Sequence, residues 1–144
     1  PVSLLSGFAS PGDPISIVKT LATLPTGGLA VTGASSGGLI HLEEISIQKI
    51  TGGETVAVTG IQVYTTSDTV ALNQEIFKAN GDSIQQAVDT GLAVGRRYTA
   101  KLNHQLASGG IVSVRALGAS GAVASYRVTL RGTVIEAGAS IAAA

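Results

Sequence analysis

Apolar and polar residues alternate most cleanly in AVASYRVTLRGTVIE, residues 122–136. Ala124, Tyr126, Val128, Leu130 and Val134 fall on one side of an extended chain, and Ser125, Arg127, Thr129, Arg131 and Thr133 on the other. That is the period of a β-strand with one buried face. RRYTAKLN (96–103) repeats it, with Tyr98, Ala100 and Leu102 inward and Arg97, Thr99 and Lys101 outward. LIHLEEISIQKI (39–50) reads as a further strand, joined by a TGGE turn to TVAVTGIQVYTT (55–66). In this last run Val56 and Val58 share one face while Ile61 and Val63 take the other. The slip in phase at Thr59-Gly60 predicts a β-bulge or a sharp bend.

Glycine-rich turns at 52–53, 80–81, 108–110 and 118–121 punctuate these runs. SDTVALNQEIFKANG and DSIQQAVDTG fit either helices or a hairpin around Asn80-Gly81, and the pattern leaves both open. Many short strands between glycine-rich turns predict an all-β protein, a β-sandwich or barrel.

Before Leu39 the chain has no sustained period. TLPTGG and ASSGG are loop chemistry, yet Leu4, Leu5, Phe8, Ile15, Ile17, Val18, Leu21 and Leu24 are too apolar for a solvated linker. Two readings follow. ISIVKTLATL supplies a strand to its own domain, or residues 1–38 form an extended arm that buries its aliphatics against a neighbour. The organisation expected is an N-terminal arm over 1–38, able to contribute a strand, and a sandwich over 39–144. The closing AGASIAAA is a short apolar tail that lies against a neighbour or frays.

Composition narrows the class. Hydrophobic residues make up 44% of the 144 residues and charged residues only 12%, about half the usual charged share. Such a surface suits a protein packed against other proteins. With three Tyr, two Phe and no Trp, the core falls to Val, Ile, Leu and Ala. The chain has no Cys and no Met, which excludes disulfides, thiolate metal sites and thiol nucleophiles. Pro1 is the kind of residue left by trimming of an initiator Met, and PVSLLSGFASPGDP lacks the basic start of a signal peptide. No apolar run approaches the roughly 18 residues that span a bilayer. Synthesis in the cytoplasm without a membrane anchor is the expectation.

Formal charge is zero but segregated. Residues 39–95 carry seven acids against Lys49 and Lys78, after which Arg96, Arg97, Lys101, Arg115, Arg127 and Arg131 follow with no acid until Glu136. Arg127 and Arg131 share one strand face, as do Arg97 and Lys101, so a basic patch is expected. Neutral net charge and the shortage of aromatics for stacking bases argue against nucleic acid. Pairing of these cations with acids, across strands or subunits, is the preferred reading.

Candidate chemistry is sparse. LAVTGASSGGLI (29–40) resembles the glycine-rich turn of short-chain dehydrogenases, which would imply a nicotinamide cofactor. Thr32, Gly33 and Gly37 fit that spacing, but the last required glycine falls on Leu39, and a strand follows where a helix must stand. Tyr98 and Lys101 are three apart where the family's pair is four apart. His41, Glu43 and His104 are a minimal set for a divalent ion, weighed against ordinary strand histidines. No nucleophile-elbow sequence frames a serine. No catalytic residue, metal or cofactor is therefore expected.

In size, β pattern, composition and arm-plus-sandwich layout the whole chain resembles the small decoration, or cement, proteins of tailed bacteriophage capsids. The resemblance implies a jelly-roll-like sandwich sitting as a dimer or trimer on the outside of an icosahedral shell. Its partners would be the major capsid protein or neighbouring copies of itself, its location the virion, and a terminal arm would reach over the adjacent subunit. The partner-binding residues expected are Leu4, Leu5, Phe8, Ile15, Ile17, Leu21 and Leu24 of the arm, with Arg96, Arg97, Arg127 and Arg131. A tail or fibre subunit is the alternative, and a ligand-binding β-sandwich module the next.

Overall fold

The structure, a computed structural model, describes residues 9–23, 27–51, 58–66, 75–77, 95, 97–118 and 125–144. Within these every regular element is a strand: β1 (Pro14–Leu21), β2 (Leu29–Ala30), β3 (Ile40–Thr51), β4 (Val58–Thr66), β5 (Glu75–Phe77), β6 (Arg97–Leu106), β7 (Ile111–Gly118) and β8 (Ser125–Val134).

The pairing follows one rule. β4 pairs with β5, β3 with β6, β2 with β7 and β1 with β8, all antiparallel. The chain is thus one long ribbon doubled back on itself. Rolling this ribbon adds two further antiparallel seams, β3 with β8 and β4 with β7. The result is two four-stranded sheets, ordered β1-β8-β3-β6 and β2-β7-β4-β5. Two sheets interleaved in this way are a jelly roll, the double Greek key.

Inward rows of both sheets meet in one aliphatic cluster. Ile17 and Leu21 of β1, Ile40, Leu42, Ile45 and Ile47 of β3 and Val128, Leu130 and Val134 of β8 come from one sheet; Ile61, Val63, Val112 and Val114 come from the other. Each large aliphatic side chain buried there stabilises the fold by roughly 1.5–3 kcal/mol. The alternation read in β8 holds throughout its described length, with Tyr126, Val128, Leu130 and Val134 buried and Arg127 and Arg131 exposed. In β6 Ala100 and Leu102 are buried while Arg97, Thr99 and Lys101 are exposed. The phase slip expected at Thr59-Gly60 is a register shift between Val58 and Gly60 against β7.

The sandwich begins earlier than Leu39. Pro14–Leu21 is a full edge strand on β8, and Leu29–Ala30 pairs with Val114 and Ser113. The period there was hard to see because β1 is an edge strand whose inward row, Ile15, Ile17, Lys19 and Leu21, includes a lysine; Lys19 Nζ reaches out to donate to the Ala144 carbonyl, 2.7 Å. The closing tail neither frays nor projects. It bridges residues 32 and 36 of its own chain at Ala143 and Ser140, with Ala139 buried beneath. Of the helix-or-hairpin segment, Glu75–Phe77 is strand β5 on β4; the rest, with Asn80-Gly81, lies outside the described residues.

Opposite Gly132 the first sheet bends. Between Arg131 and Gly132 β8 advances one residue, while β3 advances two, from Glu44 to Leu42, and Glu43 is extra. A Cβ on Gly132 would run into the His41 carbonyl oxygen, so the bulge closes only over glycine. Gly132→Ala is expected to lower stability by about 1–3 kcal/mol, as overpacking does, with an unchanged denaturant slope. Urea unfolding followed by circular dichroism measures both.

Candidate interaction surface

Register fixes which side chains share the outer face of the β1-β8-β3-β6 sheet. Thr20, Arg127, Gln48 and Arg97 form one row across the four strands. Val18, Thr129, Ser46 and Thr99 form the next, and Ser16, Arg131, Glu44 and Lys101 the third. Beyond the bulge come Pro14, Thr133, His41 and Gln105. The middle row is short side chains, so the flanking cations stand above a shallow trough. At its β1 end sits Val18, 53% exposed, the one exposed large hydrophobic among the described residues.

Arg97, Lys101, Arg127 and Arg131 are thus brought onto one face, although they belong to two strands separated by β3. All four are exposed. Glu44 is the carboxylate placed between Arg131 and Lys101, and Glu43 beside the face accepts a hydrogen bond from Thr133 Oγ1, 2.9 Å. Arg96 lies outside the described residues, as do Leu4, Leu5, Phe8 and Leu24. Ile17 and Leu21, expected to face a neighbour, are buried in the chain's own core, and Ile15 packs against it. Burial on the sandwich is what their alternation on β1 encodes. Sequence reasoning missed the trough of Ser46, Thr99 and Thr129, because only cross-strand register brings those residues together.

The stretch resembling a dinucleotide turn has a different job. Thr32 Oγ1 accepts the Val112 N–H, 3.1 Å, and Gly33 N–H donates to Ala142, 2.9 Å. Ser35 N–H donates to the Gly110 carbonyl and its Oγ to that of Ala107, both 2.9 Å. Ser36 exchanges backbone hydrogen bonds with Ser140. Gly37, at φ 83°, lies so close to the Gly138 carbonyl that a Cβ would overlap it. After Leu39 the chain enters β3, so a strand follows the turn where a dinucleotide site needs a helix. These letters clasp the C-terminal tail and the β6–β7 turn.

His41 and His104 do not form the set considered for a metal. His41 lies in the outer face, whereas His104 continues the inward row of Ala100 and Leu102, opposite Leu42. Glu43, the extra residue at the bulge, is held instead by Thr133, the cross-strand neighbour of His41. Among the described residues no group of three or more His, Cys, Asp or Glu is placed to hold a metal ion. Burial pushes the His104 pKa down, and the nearby His41 adds to this. Lys49, at the end of the inward row of β3, is also held low by burial. On the other sheet Tyr64 and Ser113 are fully buried, and their hydroxyls find no hydrogen-bond partner among the described residues. The Tyr64 hydroxyl occupies the space a Cβ on Gly28 would need.

No family model matches the chain, and no curated protein matches it. Among solved structures it is similar to a chain from the acid-stable capsid structure of Helicobacter pylori bacteriophage KHP30. That match has 7% identity and a TM-score of 0.46, and covers 89% of this chain and 97% of the other. It is also similar to chains from infectious bursal disease virus of the Gx strain (15% identity, TM-score 0.35, 94% of this chain and 36% of the other). The Gt-strain match has 14% identity and a TM-score of 0.28, covering 92% and 38%. Likeness this loose does not define a fold, and the jelly roll rests on the strand order itself.

Two outcomes follow from the buried polar groups. His104 has a folded pKa below the ordinary value of about 6.5, so as pH falls through that value the unfolded chain takes up a proton the folded chain refuses. Stability should be independent of His104 above pH 6.5 and decline below it, levelling once the folded form also protonates; His104→Gln should flatten that part of a urea-midpoint profile. Tyr64→Phe removes a buried hydroxyl that sits opposite Ser113 and meets no well-formed hydrogen bond among the described residues, so unfolding should show a change in stability of no more than about 1 kcal/mol.

Proposed function

We propose that this chain is a structural subunit of a virus particle, a decoration subunit that binds and stabilises the outer surface of an icosahedral capsid through subunit–subunit contacts. The observation that carries this reading is where the molecule keeps its chemistry. Jelly rolls serve capsid proteins, lectins and cupins, and what separates these uses is the site rather than the fold. Here the described inward rows of both sheets are mainly aliphatic and meet as one cluster between the sheets. The outer sheet face, by contrast, is a flat array of cations around hydroxyls. What such a molecule offers a partner is surface.

Composition supports the same reading. A sulfur-free chain has no thiol or thioether to oxidise, an advantage for a part that persists outside a cell. With few aromatic anchors, binding at each copy rests on modest contacts, and many copies engaging one lattice multiply them. A role for residues 1–8 in reaching a neighbour belongs to the same proposal, while deletion of all of 1–38 would remove β1 and β2 from the sandwich.

Banding particles from the native source on a density gradient tests the proposal. The chain is expected in the particle band at a fixed ratio to the major shell protein, and mild stripping should remove it while leaving a closed but less heat-resistant shell. Its absence from every particle band would overturn the virion reading. Collapse of the shell on stripping would make it a shell-building rather than a decorating subunit.

A further inference from the structure

We infer that the open edge of β1 pairs with the same edge of a second copy, antiparallel across a twofold axis at Val18, so that two sheets join into one. The inference goes beyond the reading above and does not need it.

The strand order leaves β1 and β6 at the ends of one sheet and β2 and β5 at the ends of the other. An end strand offers unpaired N–H and C=O groups to any other strand, and folds blunt such edges by shortness, charge or bulges. β2 and β5 are two and three residues long, and β6 carries Arg97 and Lys101 on its exposed row. β1 has none of these devices. Its eight residues run along β8 without a register shift, and its exposed row, Pro14, Ser16, Val18 and Thr20, is uncharged. Lys19 lies in the opposite row and is held at the rim by the Ala144 carbonyl, so in the folded chain it does not guard the edge.

Which groups point outward follows from the ladder. The Val134 N–H donates to the Asp13 carbonyl, 2.9 Å, and antiparallel bonds to one partner recur at every second residue. Ile15, Ile17, Lys19 and Leu21 therefore turn their backbone groups to β8, and Ser16, Val18 and Thr20 turn theirs to the open side. There the backbone groups of these three bond no other described residue. Pro14, which has no N–H, closes the row at one end. Val18, at the middle of the row, is the one exposed large hydrophobic among the described residues. A second copy is the partner this row matches. Antiparallel pairing about Val18 sets Ser16 against Thr20 in both directions and satisfies the open N–H and C=O of all three residues. It also lays the two valines side by side on the axis, so one contact covers both the unpaired backbone and the apolar side chain. Such a contact is isologous and closes at two copies.

Because the chain has no cysteine, a thiol placed on the axis reports the contact directly. Facing residues of such a pair stand about 5.5 Å apart at Cα, within the span of a disulfide, about 4.4–6.8 Å. Purified Val18→Cys should oxidise to a disulfide dimer, while Thr99→Cys, exposed at the far end of the same sheet, should stay monomeric. In sedimentation the wild type should dimerise below about 1 mM, the weak end of specific association. Val18→Lys, which sets like charges against each other across the axis, should weaken this at least about tenfold with an unchanged circular dichroism spectrum. A wild type that stays monomeric throughout would overturn the inference, as would Val18→Cys oxidising no faster than Thr99→Cys. A dimer that cross-links through Thr99→Cys instead would overturn it too, giving the contact to the outer face. All of these are read on the pure protein, so failure of the particle experiment leaves them standing.

Discussion

The hydrogen-bonded seam between β3 and β8 is what the rest of the molecule depends on. Without it the chain would be a long two-stranded ribbon, one face of which would bury nothing. Joining β3 to β8 and β4 to β7 curls the ribbon into two sheets whose apolar rows face each other. The same seam sets the outer face. β3 sits between β8 and β6, so its Gln48, Ser46 and Glu44 separate cations that are some thirty residues apart in the chain. Core and surface are therefore two consequences of a single register.

Maintaining that register demands local concessions, and they fall on backbone that only glycine tolerates or on loops that must satisfy many polar groups at once. Gly132 admits the His41 carbonyl at the bulge. The loop from Thr32 to Ser36 uses its side-chain and backbone groups to hold both the β6–β7 turn and the tail. The tail in turn pairs its backbone with that of residues 31–36, just beyond β2.

Wherever one face of a strand was buried and the other wet, the sequence was readable. β8 and the described part of β6 follow their alternation, and the bulge in β4 announced itself as a change of phase. β1 was harder because its inward row includes Lys19, which breaks the apolar period while its charge reaches the Ala144 carbonyl. Ile17 and Leu21, read as partner residues, lie in the chain's own core: an apolar run looks the same whether it meets its own core or a neighbour's. Arg97, Arg127 and Arg131 were legible as a basic set, but their sharing of one face with Lys101, and the floor between them, depended on pairings between distant strands. Short-range pattern carries no information about such pairings. The dehydrogenase-like letters illustrate the converse: glycine, serine and threonine are what any tightly bonded loop requires.

The nested pairing also imposes an order in time. β1 leaves the ribosome well before β8, its strand partner among the described residues; Val18 must wait for Thr129. At ordinary rates of synthesis, about 5–20 residues per second, that interval is roughly 6–20 s. Throughout it an apolar strand has no ladder to join, and neighbouring ribosomes on the same message would carry identical strands in the same condition. A lysine in the row destined for the interior makes such a strand a poor template for its twin, while in the finished fold its charge escapes to the rim. Lys19 thus acts before the protein exists as a folded object, by keeping an early strand available for a late one.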